Sequence, residues 1–502
     1  MKLHRCVVLI ALAGATSAQA QYVDSVWPGF RGTAAKRGSV LADGPAVNHD
    51  FTIGNQGIVS AGGICVDDDG DIYFKTYDQE ETQSFVRRLD GCTGANLASS
   101  PALVSAAGNY SGVSIGVDAI YASNYAGAGN TSIFKLNKNT LAVIDEFTDP
   151  AFVGLRGAPL ISDIPNDAGN QVLYVADRNG VAIHAVDSVT GEVMWSHPVF
   201  ADAPFMQLGP MWETGDGRQA FAYFANIDIG GGIAIADNGD GTFEVLWDFV
   251  GPDSFNWWGT GALSEDGERI YVPTFNDNDA DSFWVIDVDD GSVIDSFSGQ
   301  TEDGPLNFFG RPAVIGNRIY CGGGDGVVAC FQDDGNGNIS LVWTYRDNVD
   351  EHTAISAVRT PGGETYIYTA RQNVPALLVL QDLGNTHDKL LETNLNGAMK
   401  ATLFANNSCT VDADGSLWVG GGSPNEPDIT PGDVYKFTID GFECGGDCIA
   451  DCNNDGSLNI LDFVCFQGEW QDQTAQGDCD DNGLYNILDF VCYQGVFLDG
   501  CP

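Results

Sequence analysis

Two stretches near the C-terminus carry the residue types and spacing that cation chemistry needs. They read DCNNDGSLNILDFVCFQG from Asp451 and DCDDNGLYNILDFVCYQG from Asp478. Ca2+ takes six to eight hard oxygens, and one tightly turned loop supplies them at positions 1, 3, 5, 7, 9 and 12, with glycine at position 6. In the first copy those ligands are Asp451, Asn453, Asp455, the carbonyl of Ser457, Asn459 and Asp462, with Gly456 at the turn. In the second they are Asp478, Asp480, Asn482, the carbonyl of Leu484, Asn486 and Asp489, with Gly483 at the turn. Chance explains one Asp/Asn/Gly loop; two copies in register predict two Ca2+ sites.

Each loop runs into an apolar, helix-like stretch, but no entering helix precedes either, and position 12 is Asp where an EF-hand has a bidentate Glu. This tandem of loop-plus-helix units resembles a dockerin, in particular the Cys-containing bacterial dockerin-type module that ends in Gly-Cys, here Gly500-Cys501. The resemblance spans residues 448–502, within a module assigned to 444–502. It implies a non-catalytic plug for a cohesin-like or other surface receptor protein. It also implies partner-reading pairs at loop positions 10 and 11, which are Ile460-Leu461 and Ile487-Leu488, identical in the two repeats.

The elements that position these loops must be stapled, because a module of this size has a small core. Of 13 cysteines, five lie in the body (Cys65, Cys92, Cys321, Cys330, Cys409) and seven in the tail (Cys444, Cys448, Cys452, Cys465, Cys479, Cys492, Cys501). Both counts are odd, so full pairing requires a body-to-tail bridge, for which Cys444 is the natural candidate; a free thiol in each half is the alternative. Within the tail, Cys452–Cys465 with Cys479–Cys492 and the crossed Cys452–Cys492 with Cys465–Cys479 are both symmetric solutions, and Cys448–Cys501 would then clasp the ends.

Residues 1–20 read as a secretory signal peptide: Lys2 and Arg5, the apolar run VVLIALAG, and Ala18-Gln19-Ala20 as the cleavage box. No later stretch is long and apolar enough for a membrane span, so no membrane insertion is expected. The expected location is secreted or at the cell surface of a bacterium, where disulfides persist. The formal net charge of −47 repels nucleic acid, which is excluded as a partner. Residues 441–502 hold 12 acids and no Lys or Arg. Excess surface acid of this kind suits solubility in a saline exterior.

The body, 51–443, is glycine-rich, has alternating β-type runs and repeats about every 45–50 residues, the mark of a propeller. The clearest copies are LYVADRNGVAIHAVDSVTGEVMW (173–195), RIYVPTFNDNDADSFWVIDVDDGSVIDSF (269–297) and RIYCGGGDGVVACF (318–331). Five weaker copies give an all-β, eight-bladed β-propeller followed by a small α-helical tail. Seven blades is the alternative count, since the copies near 111–147 and 353–392 are degenerate. AVDSVTGEVMW (185–195) resembles the quinoprotein-like propeller repeat, and the opening segment VWPGFRGTAAKRG looks like the start of secreted bacterial propellers of that class. The segment 21–50 is then expected to close the ring, with Asp43–Phe51 or nearby residues supplying a strand to the last blade. In CGGGDGVVAC a two-residue turn at Asp325-Gly326 places Cys321 opposite Cys330 and predicts a disulfide between them.

Propellers bind ligands at the channel mouth, on loops leading into each innermost strand. Those loops include FNWWGTGAL and LNFFGRPAV, which make Trp257, Trp258, Phe308, Phe309 and Arg311 a candidate mouth for a glycan or a flat cofactor; packing between blades is the competing reading. The quinoprotein resemblance implies a cofactor held by an adjacent Cys-Cys pair, a Trp, Ca2+ and a catalytic Asp. No two cysteines are adjacent in this chain, which argues against pyrroloquinoline quinone (PQQ). The histidines stand singly, without metal-ligand spacing. His184, on a strand, reads as a packing residue, and DDDGD (67–71) as a solvated turn. The expectation is an exported, non-catalytic binding or scaffold propeller attached to a receptor through its Ca2+-dependent tail. The alternative is a secreted enzyme, a quinone-dependent oxidoreductase or a carbohydrate-active one, assembled through the same module.

Overall fold

The protein is described from a computed structural model, which covers residues 38–499 except 55–57, 78–82, 105–111, 125–130, 178–181, 200–207, 226–230, 251–260, 275–280, 302–303, 309–311, 348–351, 372–375, 395–408, 421–432, 443–449, 451, 453–459, 473, 475–476, 478 and 480–483. Alternating strands and glycine turns build eight antiparallel sheets around a ring, so the eight-copy reading of the repeats holds. The first blade is Ile58–Val66, Ile72–Tyr77, Gln83–Leu89 and Asn96–Ser99, and the next six lie within 113–148, 155–198, 211–250, 262–298, 313–346 and 352–394. The eighth is Thr410–Val411, Leu417–Gly420 and Val434–Thr438, completed by Asn48–Ile53 as its outermost strand. N- and C-terminal parts of the body thus share one sheet, which removes the two edges an open ring would expose.

A second N-terminal strand was not legible in the sequence. Ser39–Leu41 pairs in parallel with the innermost strand of the seventh blade, Ser39 opposite Ala357. The Ser39 hydroxyl donates to the Val314 carbonyl of the sixth blade at 2.5 Å. The Ala46 amide then donates to the Tyr368 hydroxyl at 3.0 Å. The segment therefore fastens the sixth and seventh blades before it closes the ring on the eighth.

Burial follows strand position. The second strand of a blade is flanked by both neighbouring blades, and Ile72–Tyr77, Val172–Asp177 and Thr365–Arg371 are buried along their whole length. Outermost strands such as Val143–Thr148 are mostly exposed. Each second strand buries a large aromatic: Tyr73, Tyr121, Tyr174, Tyr271, Tyr320, Tyr368 and Trp418, and in the fourth blade Tyr223, which lies further along its strand and packs back with Tyr174. The polar tip of a buried ring usually finds a partner. The Tyr174, Tyr271 and Tyr320 hydroxyls cross to the next blade and donate to Asp237 (2.9 Å), Asp333 (2.6 Å) and Asp382 (2.7 Å). The other oxygen of each aspartate accepts amides of the turn that follows, such as Gly239 on Asp237 and Gly335 on Asp333.

The cysteine hairpin departs from expectation. Gly324–Gly326 is a three-residue 3-10 turn, so Gly323 opposes Val327 and Cys321 opposes Ala329, while Cys330 opposes Tyr320. A one-residue change of register sends a side chain to the other face of a sheet. Cys321 packs with Phe283 and Phe331 toward the fifth blade, and Cys330 with Trp343 and Ile355 toward the seventh. The two form no disulfide. Burial pushes the Cys330 thiol up to about 12. Nor does a bridge join body to tail, because none of the five body cysteines is disulfide-bonded.

Candidate functional site

In the tail the two apolar stretches form helices α1 (Ile460–Asp472) and α2 (Ile487–Asp499). The parallel, within-repeat disulfides are the ones present: Cys452–Cys465 with Cα atoms 5.7 Å apart, and Cys479–Cys492 with 5.8 Å. Each ties loop position 2 to its own helix, one turn past position 12. The helices meet through an aromatic cluster. Phe466 stacks on Tyr493 with centroids 4.0 Å apart, and Phe463, Phe490, Trp470 and Phe497 pack around them. The Tyr493 hydroxyl donates to the Ala450 carbonyl at 2.8 Å, fixing the chain just before the first loop.

Loop positions 451, 453, 455, 457, 459, 478, 480 and 482 lie outside the described residues. Positions 9 and 12 of the second loop are described, and they form the N-terminal cap of α2. The Asn486 side-chain oxygen accepts the Leu488 amide at 2.9 Å, and Asp489 Oδ2 accepts the Asn486 amide at 2.6 Å, a reciprocal cap. Asp489 has no solvent exposure, and among the described residues its Oδ1 is buried without a hydrogen-bond partner. Asp462, its counterpart, is equally buried. An unpaired buried carboxylate oxygen is strongly unfavourable unless a cation meets it. The donor set at Asp489 therefore fits a hard cation, and the capping role alone accounts for only one of its two oxygens.

Loop positions 10 and 11 open each helix on the side away from the aromatic cluster. Ile460, Leu461, Ile487 and Leu488 are 55–72 % exposed, and one turn on Val464 and Val491 continue each face. Exposed aliphatics in such repeated clusters mark contact surfaces, whereas single ones do not.

In the body, Trp257, Trp258, Phe309 and Arg311 lie outside the described residues. Phe308 is 1 % exposed and packs edge-on against Phe283 and Phe331, with its amide donating to the Thr274 carbonyl at 3.3 Å. It is a packing residue between blades and does not line a mouth. His184 is buried against Phe152 with Nδ1 2.7 Å from the Ser196 hydroxyl, and burial lowers its pKa. Asp67 Oδ1 accepts the Asp69 and Asp71 amides, and Lys138 sits 2.8 Å from Asp68, so the DDDGD stretch is a turn held from within and by the next blade.

Sequence reasoning missed the electrostatics where the ring closes. Lys436 of the eighth blade is buried, donates to the Gly91 carbonyl of the first blade at 2.7 Å, and lies 4.2 Å from the Phe442 ring centroid and 5.4 Å from that of Trp418. Nearby, burial and the Asp414 carboxylate push Asp412 up to about 7. Asp71 rises to about 6, mainly through burial and despite Arg88. Lys75, wholly buried with its ammonium donating to the Ser123 carbonyl at 2.6 Å, is pushed down to about 7. The repeat motif hinted at the Asp412 pair, since VDDDGDIYF and VDADGSLWV are copies in neighbouring blades.

No protein-family model matches the chain. Over 104 residues it is 31% identical to Tripartite motif-containing protein 72 of Xenopus tropicalis and 29% identical to the Xenopus laevis protein. Each alignment covers 21% of this chain, and the chain spans about a fifth (21%) of the length of these curated relatives. Among solved structures, a europium-containing methanol dehydrogenase is 12% identical, covers 69% of this chain and 89% of its own, and gives a TM-score of 0.41. The computationally designed Ika8 protein is 11% identical, covers 78% of this chain and all of its own (100%), and gives 0.51. At 11% identity the likeness to Ika8 shows the fold alone. Among the described residues no helix is long and apolar enough to cross a membrane.

Proposed function

We propose that this protein is an exported, non-catalytic binding propeller attached to a cell-surface or extracellular receptor by a dockerin-like, Ca2+-dependent tail. The single observation that supports it is the pairing, in both repeats, of an exposed Ile-Leu face with a buried aspartate at position 12. In this reading Ca2+ would be held by Asp451, Asn453, Asp455, Ser457, Asn459 and Asp462, and a second ion by Asp478, Asp480, Asn482, Leu484, Asn486 and Asp489. Bound Ca2+ supplies the positive charge that the buried carboxylates lack. The helices then present Ile460-Leu461 and Ile487-Leu488 to an apolar surface on a cohesin-like or other receptor. The channel mouth, with Trp257, Trp258, Phe309 and Arg311, is left to a glycan or a protein ligand of the propeller.

The test uses the full mature chain. In Ca2+ it retains a receptor from a bacterial surface extract that EGTA releases, and the variant carrying aspartates at positions 461 and 488 retains none. Retention unchanged by EGTA would sink the docking reading.

A further inference from the structure

Between the third and fourth blades, on the face where each innermost strand turns into the second, lies a cleft of about 140 Å3 lined by Val172, Tyr174, Asp237, Gly239, Asn166 and Arg218 among others. The seam between the fifth and sixth blades shows what such a space holds when filled. There Arg269 begins the second strand, opposite Asp287 and two residues before Tyr271. Its side chain crosses the seam, with Nε 3.0 Å from Asp333 Oδ2 and a guanidinium nitrogen donating to the Gly335 carbonyl at 3.1 Å. Asp333 Oδ2 accepts the Tyr271 hydroxyl as well, and Oδ1 accepts the Gly335 amide.

The third-to-fourth seam repeats the tyrosine, the aspartate and the glycine amide of this arrangement without the arginine, which at the fifth-to-sixth seam is also held by Asp266 of its own blade. Val172 begins the second strand, opposite Asp187 and two residues before Tyr174. The Tyr174 hydroxyl donates to Asp237 Oδ2 at 2.9 Å, and the Gly239 amide donates to Asp237 Oδ1 at 2.9 Å. Asp237 is 4 % exposed, and among the described residues no Lys or Arg forms an ion pair with it. Arg218 at the rim is already engaged by Asp216 and Glu244, at 2.9 and 2.8 Å. A carboxylate has about four acceptor sites, so Asp237 Oδ2 has capacity for a donor beside the tyrosine, and the Arg269 guanidinium lies 3.0 Å from the corresponding oxygen of Asp333. The Gly239 carbonyl accepts the Asp167 amide at 3.0 Å and keeps a second lone pair.

We propose that this cleft is a binding site for a guanidinium group from outside the fold, which occupies the place that Arg269 fills two seams on. The group's planar fork matches a carboxylate and a carbonyl side by side, which a compact ammonium cannot do. The source is either a small guanidinium compound or an arginine side chain presented by a peptide. The proposal concerns the propeller and stands independently of the tail.

The experiment is calorimetry on the full mature chain in Ca2+ with ethylguanidine, ethylamine, and acetylated Gly-Arg-Gly and Gly-Lys-Gly amides. Ethylguanidine is expected to bind saturably, about tenfold more tightly than ethylamine. Val172→Arg, which supplies the missing side chain from within, is expected to abolish binding and raise Tm; Asp237→Asn is expected to weaken binding about tenfold. If Val172→Arg fails to fold, Val172→Met fills the same space without charge and must also abolish binding. Tighter binding of the Gly-Arg-Gly peptide assigns the site to a partner's arginine; binding of ethylguanidine alone assigns it to a free compound. Equal affinity for the amine, or undiminished binding to a filled variant, overturns the proposal.

Discussion

Tyr271 and Asp333 are joined across the seam between the fifth and sixth blades by a hydrogen bond of 2.6 Å, with both groups out of solvent. Asp333 faces two ways: it receives the tyrosine on one oxygen and the Gly335 and Gly337 amides on the other. The same residue therefore sets a turn within its blade and holds the preceding blade. Burial and the Asp333 carboxylate push the Tyr271 hydroxyl well above its ordinary range, so it stays a donor at any pH the fold meets.

Tyr271→Phe keeps the ring and removes the donor, leaving a buried carboxylate oxygen with Arg269 alone. The expected cost is about 1–3 kcal/mol of stability, read as a lower denaturation midpoint with an unchanged slope. A variant as stable as the parent would show that the seam is held by apolar packing only.

These rivets were half legible. The tyrosine of the IY and LY dipeptides and the aspartate that closes most third strands are plain in the repeat copies that gave the blade count. Their pairing across a seam was not legible, because it depends on the angle between blades. The run CGGGDGVVAC was misread for a related reason: five possible turn residues leave the hairpin length open, and one residue decides the register. A Cβ at Gly323 would lie 2.1 Å from the Asn307 carbonyl oxygen, so that glycine serves a close approach by the neighbouring loop rather than the turn. Phe308 belongs to that same loop. Its aromatic character was visible, but its burial came from Phe283 and Phe331, which the sequence separates from it. In the tail, two-fold sequence symmetry allowed two disulfide maps, and the structure holds the one in which Cys452 and Cys479 each reach the helix of their own repeat.

The first and eighth blades meet around carboxyl groups that burial holds toward the neutral form, and this sets a pH dependence. Asp412 is faced by Asp414 and the Ala413 amide on its own turn, by Lys436 on the third strand, and by Asp67 of the first blade. Its folded pKa of about 7 lies above the ordinary 3.8, so the folded state binds the proton more tightly. Stability from this group is complete below about pH 4 and is lost as pH rises toward 7; Asp71, at about 6, acts in the same direction. Asp412→Asn is expected to raise Tm at pH 7.5, to change it little at pH 4.5, and so to flatten the profile. A parallel shift at both pH values would refute this account.

Asp489→Asn tests the cation site with two signs. In Ca2+ the variant loses a charged ligand and is expected to bind the ion at least about tenfold more weakly. In EGTA it loses an uncompensated buried charge and is expected to unfold later than the parent. The crossing of the two orders is the diagnostic, read from paired thermal melts. If the variant is less stable under both conditions, the aspartate is a helix cap and nothing more.

Leu461→Asp and Leu488→Asp separate contact from folding. Both leucines are more than half exposed (57 % and 55 %), so substitution removes little buried area and is expected to leave Tm within about 1 °C of the parent. Because the two faces are copies, one intact face suffices in this reading. Each single variant is expected to keep receptor binding with at most a severalfold loss, and the double variant to lose it. A double variant that still binds would place the contact elsewhere on the tail. Single variants that each abolish binding would mean that both helices engage one receptor together, as one continuous surface rather than two alternative ones.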